Sequence, residues 1–221
     1  MKFPESGSIW PVHLVANPRW VVFNLKRWDL SRWRLPPDAA YEFRACALFC
    51  DYLYRLVRQA RPERVVETGV FFGRSSAAIL SALERNGRGR LVSIDLPVPG
   101  AYFNSDGRYE SSPANAGRTG CLVPRQLRAR WELRLGDARE LLPAAVSGGV
   151  DLFLHDSEHS EAHMTFEYET AWARLPTGGV LASDDTDWSA AWPRFLARHA
   201  GEFCMLPYGP GYVRALRRGP A

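Results

Sequence analysis

The sequence predicts an α/β protein built on an open, mostly parallel sheet of seven strands with helices on both faces. Three observations carry this. From residue 38 onward short strands alternate with amphipathic helices. Most of the strands, VDLFLHD (150–156) among them, are continuously apolar, as strands covered on both faces are. The rhythm then breaks at EFCML (202–206) and YVRAL (212–216), separated by PYGPG, a hairpin signal that closes the sheet with antiparallel strands.

The elements follow in order. Phe43, Ala47, Cys50, Tyr54 and Val57 recur at helical steps, so a helix runs from Asp38 to Gln59 and stops before Pro62. RVVETGV (64–70) is a buried strand, and FFGRSSAAILSALERNG (71–87) leads into an amphipathic helix ended by Gly87. RLVSIDL (90–96) is the second strand. Residues 97–124, rich in Gly, Pro, Ser and Asn, form a long loop. QLRAR (126–130) is a short helix, WELRLGD (131–137) the third strand and ARELLPAAV (138–146) a brief helix. VDLFLHD is the fourth strand, SEAHMTFEYETAWARL (160–175) the next helix and GGVLASDD (178–185) the fifth strand.

Composition narrows the function. The 221 residues divide into a Trp-rich arm, 1–36, and one domain, 37–221. Hydrophobic residues make up 46% and charged ones 24%, the balance of a folded soluble domain. The net charge is only +4, and no basic aromatic platform is evident, so nucleic acid is not an expected partner. His13, Asn17, Pro18 and Arg19 interrupt the apolar patches near the N-terminus too early for a membrane span. The beginning MKFPESGSIW lacks a signal-peptide core, and the four cysteines show no CxxC spacing, so the expected location is cytoplasmic. The arm holds Trp10, Trp20, Trp28 and Trp33 and is expected to pack on the domain, to act as a lid, or to join subunits of a homo-oligomer.

Ligands of such sheets bind beyond the carboxyl ends of the strands, where this chain concentrates acids and glycines. ETGVFFGRSS supplies Glu67, then Gly69 for a tight turn, Gly73 at a helix start, and the hydroxyls of Ser75 and Ser76. The dinucleotide GxGxxG is absent, because position 71 is Phe and no third glycine follows. Asp95 ends the second strand, where it can accept both hydroxyls of a ribose. Asp137, followed by Ala138, ends the third, where it can receive an adenine amino group or cap the next helix. Three acids at successive strand ends, with no P-loop lysine, suit a nucleoside with a cationic tail better than a pyrophosphate.

These motifs, E-T-G-x-x-x-G-R-S, S-I-D and L-G-D-A-R, resemble the S-adenosylmethionine site of class I O-methyltransferases, whose Rossmann-like fold also ends in an antiparallel hairpin. The match runs from Arg64 to Asp185. It is nearest to the metal-dependent group that includes catechol O-methyltransferase and the macrocin-type sugar O-methyltransferases. The resemblance implies that Glu67, Thr68, Gly69, Gly73 and Ser75 face the methionine end, Asp95 the ribose, and Asp137 with Ala138 the adenine.

Asp156 ends the fourth strand, and Asp184 and Asp185 the fifth, so neighbouring strand ends bring three carboxylates to one rim. Such a cluster repels itself and suits a hard divalent cation, Mg2+ or another. His159, three residues past Asp156, is the candidate base for the acceptor's proton. D-x-x-H followed by G-G-x-L-x-x-D-D is similar to the macrocin-type pattern, which implies aspartates on magnesium and a histidine base. Catechol-type enzymes carry lysine in place of His159 and asparagine in place of Asp185. The expectation is therefore a small-molecule hydroxylated acceptor, a sugar or another natural product.

The other histidines receive ordinary roles. His155 points to the opposite strand face as a core or cofactor-edge residue, and His163, in the first helical turn, is expected at the surface. Trp188 either flanks the acceptor pocket or packs in the core, the latter being favoured. The rival readings are a binding protein on the same scaffold, a catechol or phenol O-methyltransferase, an NAD-dependent dehydrogenase and an RNA methyltransferase.

Overall fold

The structure is a computed structural model. It describes residues 39–96, 102–103, 109–110, 119–207, 209 and 213–219, with side chains from residue 48 onward except at 102–103 and 109–110. The Trp-rich arm and most of the 97–124 loop lie outside the described residues, and with the arm its expected packing, lid or subunit role.

The chain runs α1 (Ala39–Ala60), β1 (Arg64–Thr68), α2 (Arg74–Asn86) and β2 (Arg90–Asp95). A small ladder follows, β3 (Tyr102–Phe103) with β4 (Tyr109–Glu110), then a 3-10 helix over Arg125–Arg130. β5 (Trp131–Leu135), α3 (Ala138–Val146), β6 (Leu152–His155), α4 (Glu161–Trp172) and β7 (Val180–Ser183) complete the alternation. α5 (Ala191–Arg198) precedes the closing strands β8 (Phe203–Met205) and β9 (Arg214–Arg218). The sequence reading omitted α5 and took Arg125–Arg130 for an ordinary helix.

The seven strands order as β5-β2-β1-β6-β7-β9-β8. The first five are mutually parallel, and β9 inserts antiparallel between β7 and β8. The predicted hairpin is therefore present, with its second strand on the inside.

Period-two alternation divides the strands between two cores. Val65, Leu152, Leu154 and Val180 face α1 and α2, against Leu53, Val57, Ile79 and Leu83. Val66, Phe153 and Leu181 face the other way, against Leu142, Met164, Tyr168, Trp172 and Phe195. Strand order reverses between β1 and β6, which makes their carboxyl ends the switch point. The register aligns Thr68 with His155 and His155 with Ser183, so Gly69, Asp156 and Asp184 emerge side by side. No helix among the described residues is long and apolar enough to cross a membrane.

Candidate active site

The β1–α2 turn is built by conformation and by close packing. Gly69 has φ 81°, and a Cβ there would stand 1.8 Å from the Asp156 carbonyl oxygen, so glycine lets this turn pass against the end of β6. Gly73, at φ 87°, is the N-cap of α2, and a Cβ there would meet Gly120 and Val123. Phe71 also has positive φ, 49°, and remains exposed at the rim. The Asp95 carboxylate holds this turn by accepting from the Val70 amide at 2.9 Å, the Phe71 amide at 3.4 Å and the Thr119 hydroxyl at 3.3 Å.

Beneath the turn Glu67 is fully buried on the α2 face of the sheet. Its Oε2 accepts from Ser76 at 2.6 Å and Ser93 at 2.7 Å, while Oε1 has no partner. Burial pushes its carboxyl above the usual range, against the serine hydroxyls that favour the ionised form. Thr68 and Ser75 are buried too. Of the residues expected around the cofactor, Asp95 and Asp137 are half-buried at the rim, where Leu96 and Leu135 stand 56% and 57% exposed beside them. Asp137 caps α3, its Oδ1 accepting from the Arg139 amide at 2.8 Å, and Ala138 is buried directly behind it.

Across the switch point the structure gathers His159, Asp184 and Asp185. His159 Nε2 lies 3.6 Å from Asp185 Oδ2, too far for a hydrogen bond, and has no partner. Burial, followed by the neighbouring His155, lowers the His159 pKa to about 4, so its ring is neutral at pH 7 and a weaker base than a free imidazole. Asp185 occupies left-handed backbone at φ 46°, uncommon for a residue with a Cβ. Burial, then Asp184 and Asp187, push its carboxyl up to about 6. Burial raises Asp184 as well, although its Oδ1 accepts from the Asp185 amide at 3.0 Å. Asp156 follows β6, half-buried, its amide bonded to the Thr68 carbonyl at 2.9 Å. Among the described residues no group of three or more His, Cys, Asp or Glu side chains is arranged to hold a metal ion.

Two expectations are corrected here. His163 is buried, not at the surface, because its Nε2 meets Glu167 Oε1 at 2.8 Å one helical turn away. Trp188 is 46% exposed, not in the core, with its ring 5.1 Å from that of His159. His155 is fully buried, as expected of a core residue, with Nδ1 2.5 Å from Glu167 Oε2. Glu167 itself was missed. The available signal was Met164, Tyr168, Ala171 and Trp172, an apolar stripe on α4 flanked by a histidine and a glutamate four residues apart.

In chemical terms the rim offers a neutral imidazole whose Nε2 has no hydrogen-bond partner and can take a proton. Raised carboxylates stand beside it, and acids and apolar side chains at the ends of β2 and β5 can frame a nucleoside.

A family described as a methyltransferase domain, Methyltransf_24, matches residues 66–186. No curated protein matches the chain. Among solved structures, the Podospora anserina methyltransferase PaMTH1 bound to SAH has a TM-score of 0.59 at 17% identity, covering 96% of this chain and 99% of that one. The O-methyltransferase TomG from Streptomyces achromogenes, involved in tomaymycin synthesis and solved with SAM, scores 0.56 at 17% identity, covering 93% and 99%. CalS11, described as a TDP-rhamnose 3'-O-methyltransferase of calicheamicin biosynthesis, scores 0.51 at 19% identity, covering 89% and 93%. At these identities the likeness is one of fold.

Proposed function

The chain belongs to the methyltransferase-domain family, and from that premise we propose that it moves a methyl group from S-adenosylmethionine to a hydroxyl oxygen of a small molecule. A sugar or another natural product is the proposed acceptor class. The observation that carries the reading is His159: its Nε2 has no hydrogen-bond partner, and it stands at the carboxyl rim of the sheet near the carboxylate of Asp185 and the exposed indole of Trp188.

In this reading the nucleoside lies over the ends of β2 and β5, with Asp95 at the ribose and Asp137 at the adenine edge. The exposed Leu96 and Leu135 give it an apolar bed. Gly69 and Gly73 shape the turn beside the methionine end, where the unpaired Oε1 of Glu67 is an acceptor that the ammonium group fits. His159 Nε2 takes the acceptor's hydroxyl proton, and the oxygen attacks the sulfonium methyl in line. An O–CH3 bond forms as the S–CH3 bond breaks, leaving a methyl ether, a thioether and one proton on the imidazole. Much of the rate in such a transfer comes from holding the two reactants in line.

The donor chemistry of Asp156, Asp184 and Asp185 suits a hard divalent ion, because all three offer oxygen from adjoining strand ends and two of them are raised by burial. When bound, such an ion supplies positive charge that lowers the pKa of an alcohol or phenol. That TomG and CalS11 bear the descriptions given above supports the natural-product and sugar classes.

The test is a screen of hydroxylated acceptors with S-adenosylmethionine, read as one added methyl by mass spectrometry, with and without EDTA. Turnover that persists in EDTA removes the metal from the reading. Calorimetric binding of NAD in place of S-adenosylmethionine removes the transfer itself. Binding of S-adenosylmethionine with no product from any acceptor would favour a binding protein on this scaffold.

A further inference from the structure

Glu167 is a carboxylate on α4, fully buried, and every strong acceptor position it has is taken. Oε2 accepts from the Thr68 hydroxyl at 2.5 Å and from His155 Nδ1 at 2.5 Å. Oε1 accepts from the Ser157 hydroxyl at 2.9 Å and from His163 Nε2 at 2.8 Å. Three of these donors lie off the helix: one ends β1, one ends β6, and one opens the loop that carries His159.

We infer that Glu167 is a positioning residue for methyl transfer, fixing the carboxyl ends of β1 and β6 and the 156–160 loop in one arrangement so that Asp156 and His159 stand at the reacting rim. The inference rests on the reading of His159 as proton acceptor and adds to it the group that holds His159 in place.

The geometry transmits the constraint in two ways. Ser157 is the residue directly after Asp156, so its bond to Glu167 ties down the start of the loop. His155 carries the second route. A carboxylate can only accept, so His155 Nδ1 carries a proton toward Glu167, and Nε2 has no partner. That ring meets His159 edge-on at 5.5 Å, and His159 in turn meets Trp188. Both His155 and Thr68 lie on the α4 face of the sheet, which places them within reach of one side chain from that helix.

The energetics argue for geometry over packing. A buried charge costs several kcal/mol of desolvation, and an apolar residue of similar volume often packs as well or better. What the carboxylate adds is direction, because each of four donors must meet a specific lone pair.

The full-length protein, with Glu167→Gln and Ser157→Ala, provides the test. The ring nitrogens of 15N-labelled histidines report tautomer and surroundings directly, so this readout needs no acceptor. Wild-type His155 is expected in the Nδ1-protonated form. In Glu167→Gln that signature is expected to be lost and the His159 signal to move. S-adenosylmethionine affinity by calorimetry should stay within about twofold, and kcat on the acceptor the wild type uses best should fall by tenfold or more. Ser157→Ala, which removes a single donor, should shift the His159 signal in the same direction by less. The double variant should lose no more than Glu167→Gln alone, because both act through one network.

Unchanged His155 and His159 signals in Glu167→Gln would overturn the inference. So would a kcat loss that merely follows the folded fraction. If Glu167→Gln does not fold, Ser157→Ala decides alone, and an unmoved His159 signal there overturns it. A wild type that transfers no methyl group to any acceptor defeats the functional reading instead, while the ring signals still decide whether Glu167 sets the loop.

Discussion

His159 Nε2 faces Asp185 Oδ2 across 3.6 Å, beyond hydrogen-bond distance. The two groups come from the loop after β6 and the turn after β7, and both are shifted by burial in the direction that favours the neutral form. In the proposed reading the acceptor's hydroxyl lies beside these two groups, with its proton passing to His159.

Replacing His159 by Ala should therefore lower kcat by about 10²- to 10⁴-fold, the usual worth of a positioned general base. The KM for S-adenosylmethionine should hardly change, since His159 lies on the far side of the switch point from Asp95 and Asp137. Steady-state kinetics on the screened acceptor check this, and a variant that keeps wild-type turnover removes His159 from the chemistry.

Asp95 has a double assignment: the structure shows it binding the β1–α2 turn, while the functional reading places ribose beside it. Asp95→Ala removes bonds to the Val70 and Phe71 amides and the Thr119 hydroxyl together. Each such bond contributes about 1 kcal/mol, so S-adenosylmethionine affinity should weaken by roughly tenfold or more. Asp95→Asn keeps one acceptor and should lose less. Calorimetry separates them, and equal affinities in both variants and the wild type would exclude Asp95 from the cofactor site.

Gly69→Ala tests the junction between the two halves. The substitution puts a Cβ against the Asp156 carbonyl, which is backbone and cannot swing aside, on a residue held at φ 81°. Left-handed geometry alone costs an alanine about 1 to 2 kcal/mol, and displacing the end of β6 adds to it. A loss of about 3 kcal/mol corresponds to a Tm lower by roughly 6 to 12 °C for a chain of this size. Thermal unfolding measures it. A wild-type Tm would show that the turn does not press on Asp156.

What the sequence made legible depended on how local the cause was. Apolar runs and the PYGPG hairpin signal placed the strands of the main sheet, and Gly87 and Asp137 placed the helix ends they cap. The position of β9 inside the sheet was not legible, because a hairpin pattern fixes which strands pair and not which of them meets β7. Asp156, Asp184 and Asp185 were singled out because they follow strand ends, and His159 because it lies three residues past Asp156; the register does bring those strand ends together. The burial of His163 was not legible for the opposite reason. His155 ends a strand and His163 begins a helix, and a carboxylate on the far side of that helix turn joins them, a relationship that periodicity within one element cannot show.

The same carboxylate gives stability a pH dependence with a definite sign. Burial alone would raise Glu167, but the charges and hydrogen bonds of His155 and His163 outweigh it and hold its pKa at about 2, below the ordinary 4.5. A group depressed on folding contributes stability that is present above its unfolded pKa and is lost as pH falls toward its folded one. The Glu167 contribution should therefore fade between about pH 4.5 and 2, by an amount on the order of 3 kcal/mol. His163 behaves in the opposite sense. Burial would lower it, yet the bond and charge of Glu167 raise it above 6.5, so its contribution is complete below that value and fades as pH rises through the folded pKa. Between roughly pH 4.5 and 6.5 both terms are present, and the stability attributable to the pair is greatest. Urea unfolding of the wild type and of Glu167→Gln across pH 2 to 8 isolates it as their difference. That difference should be largest inside the window and shrink on both sides; a difference independent of pH would mean that the two groups are not an ion pair in the folded protein.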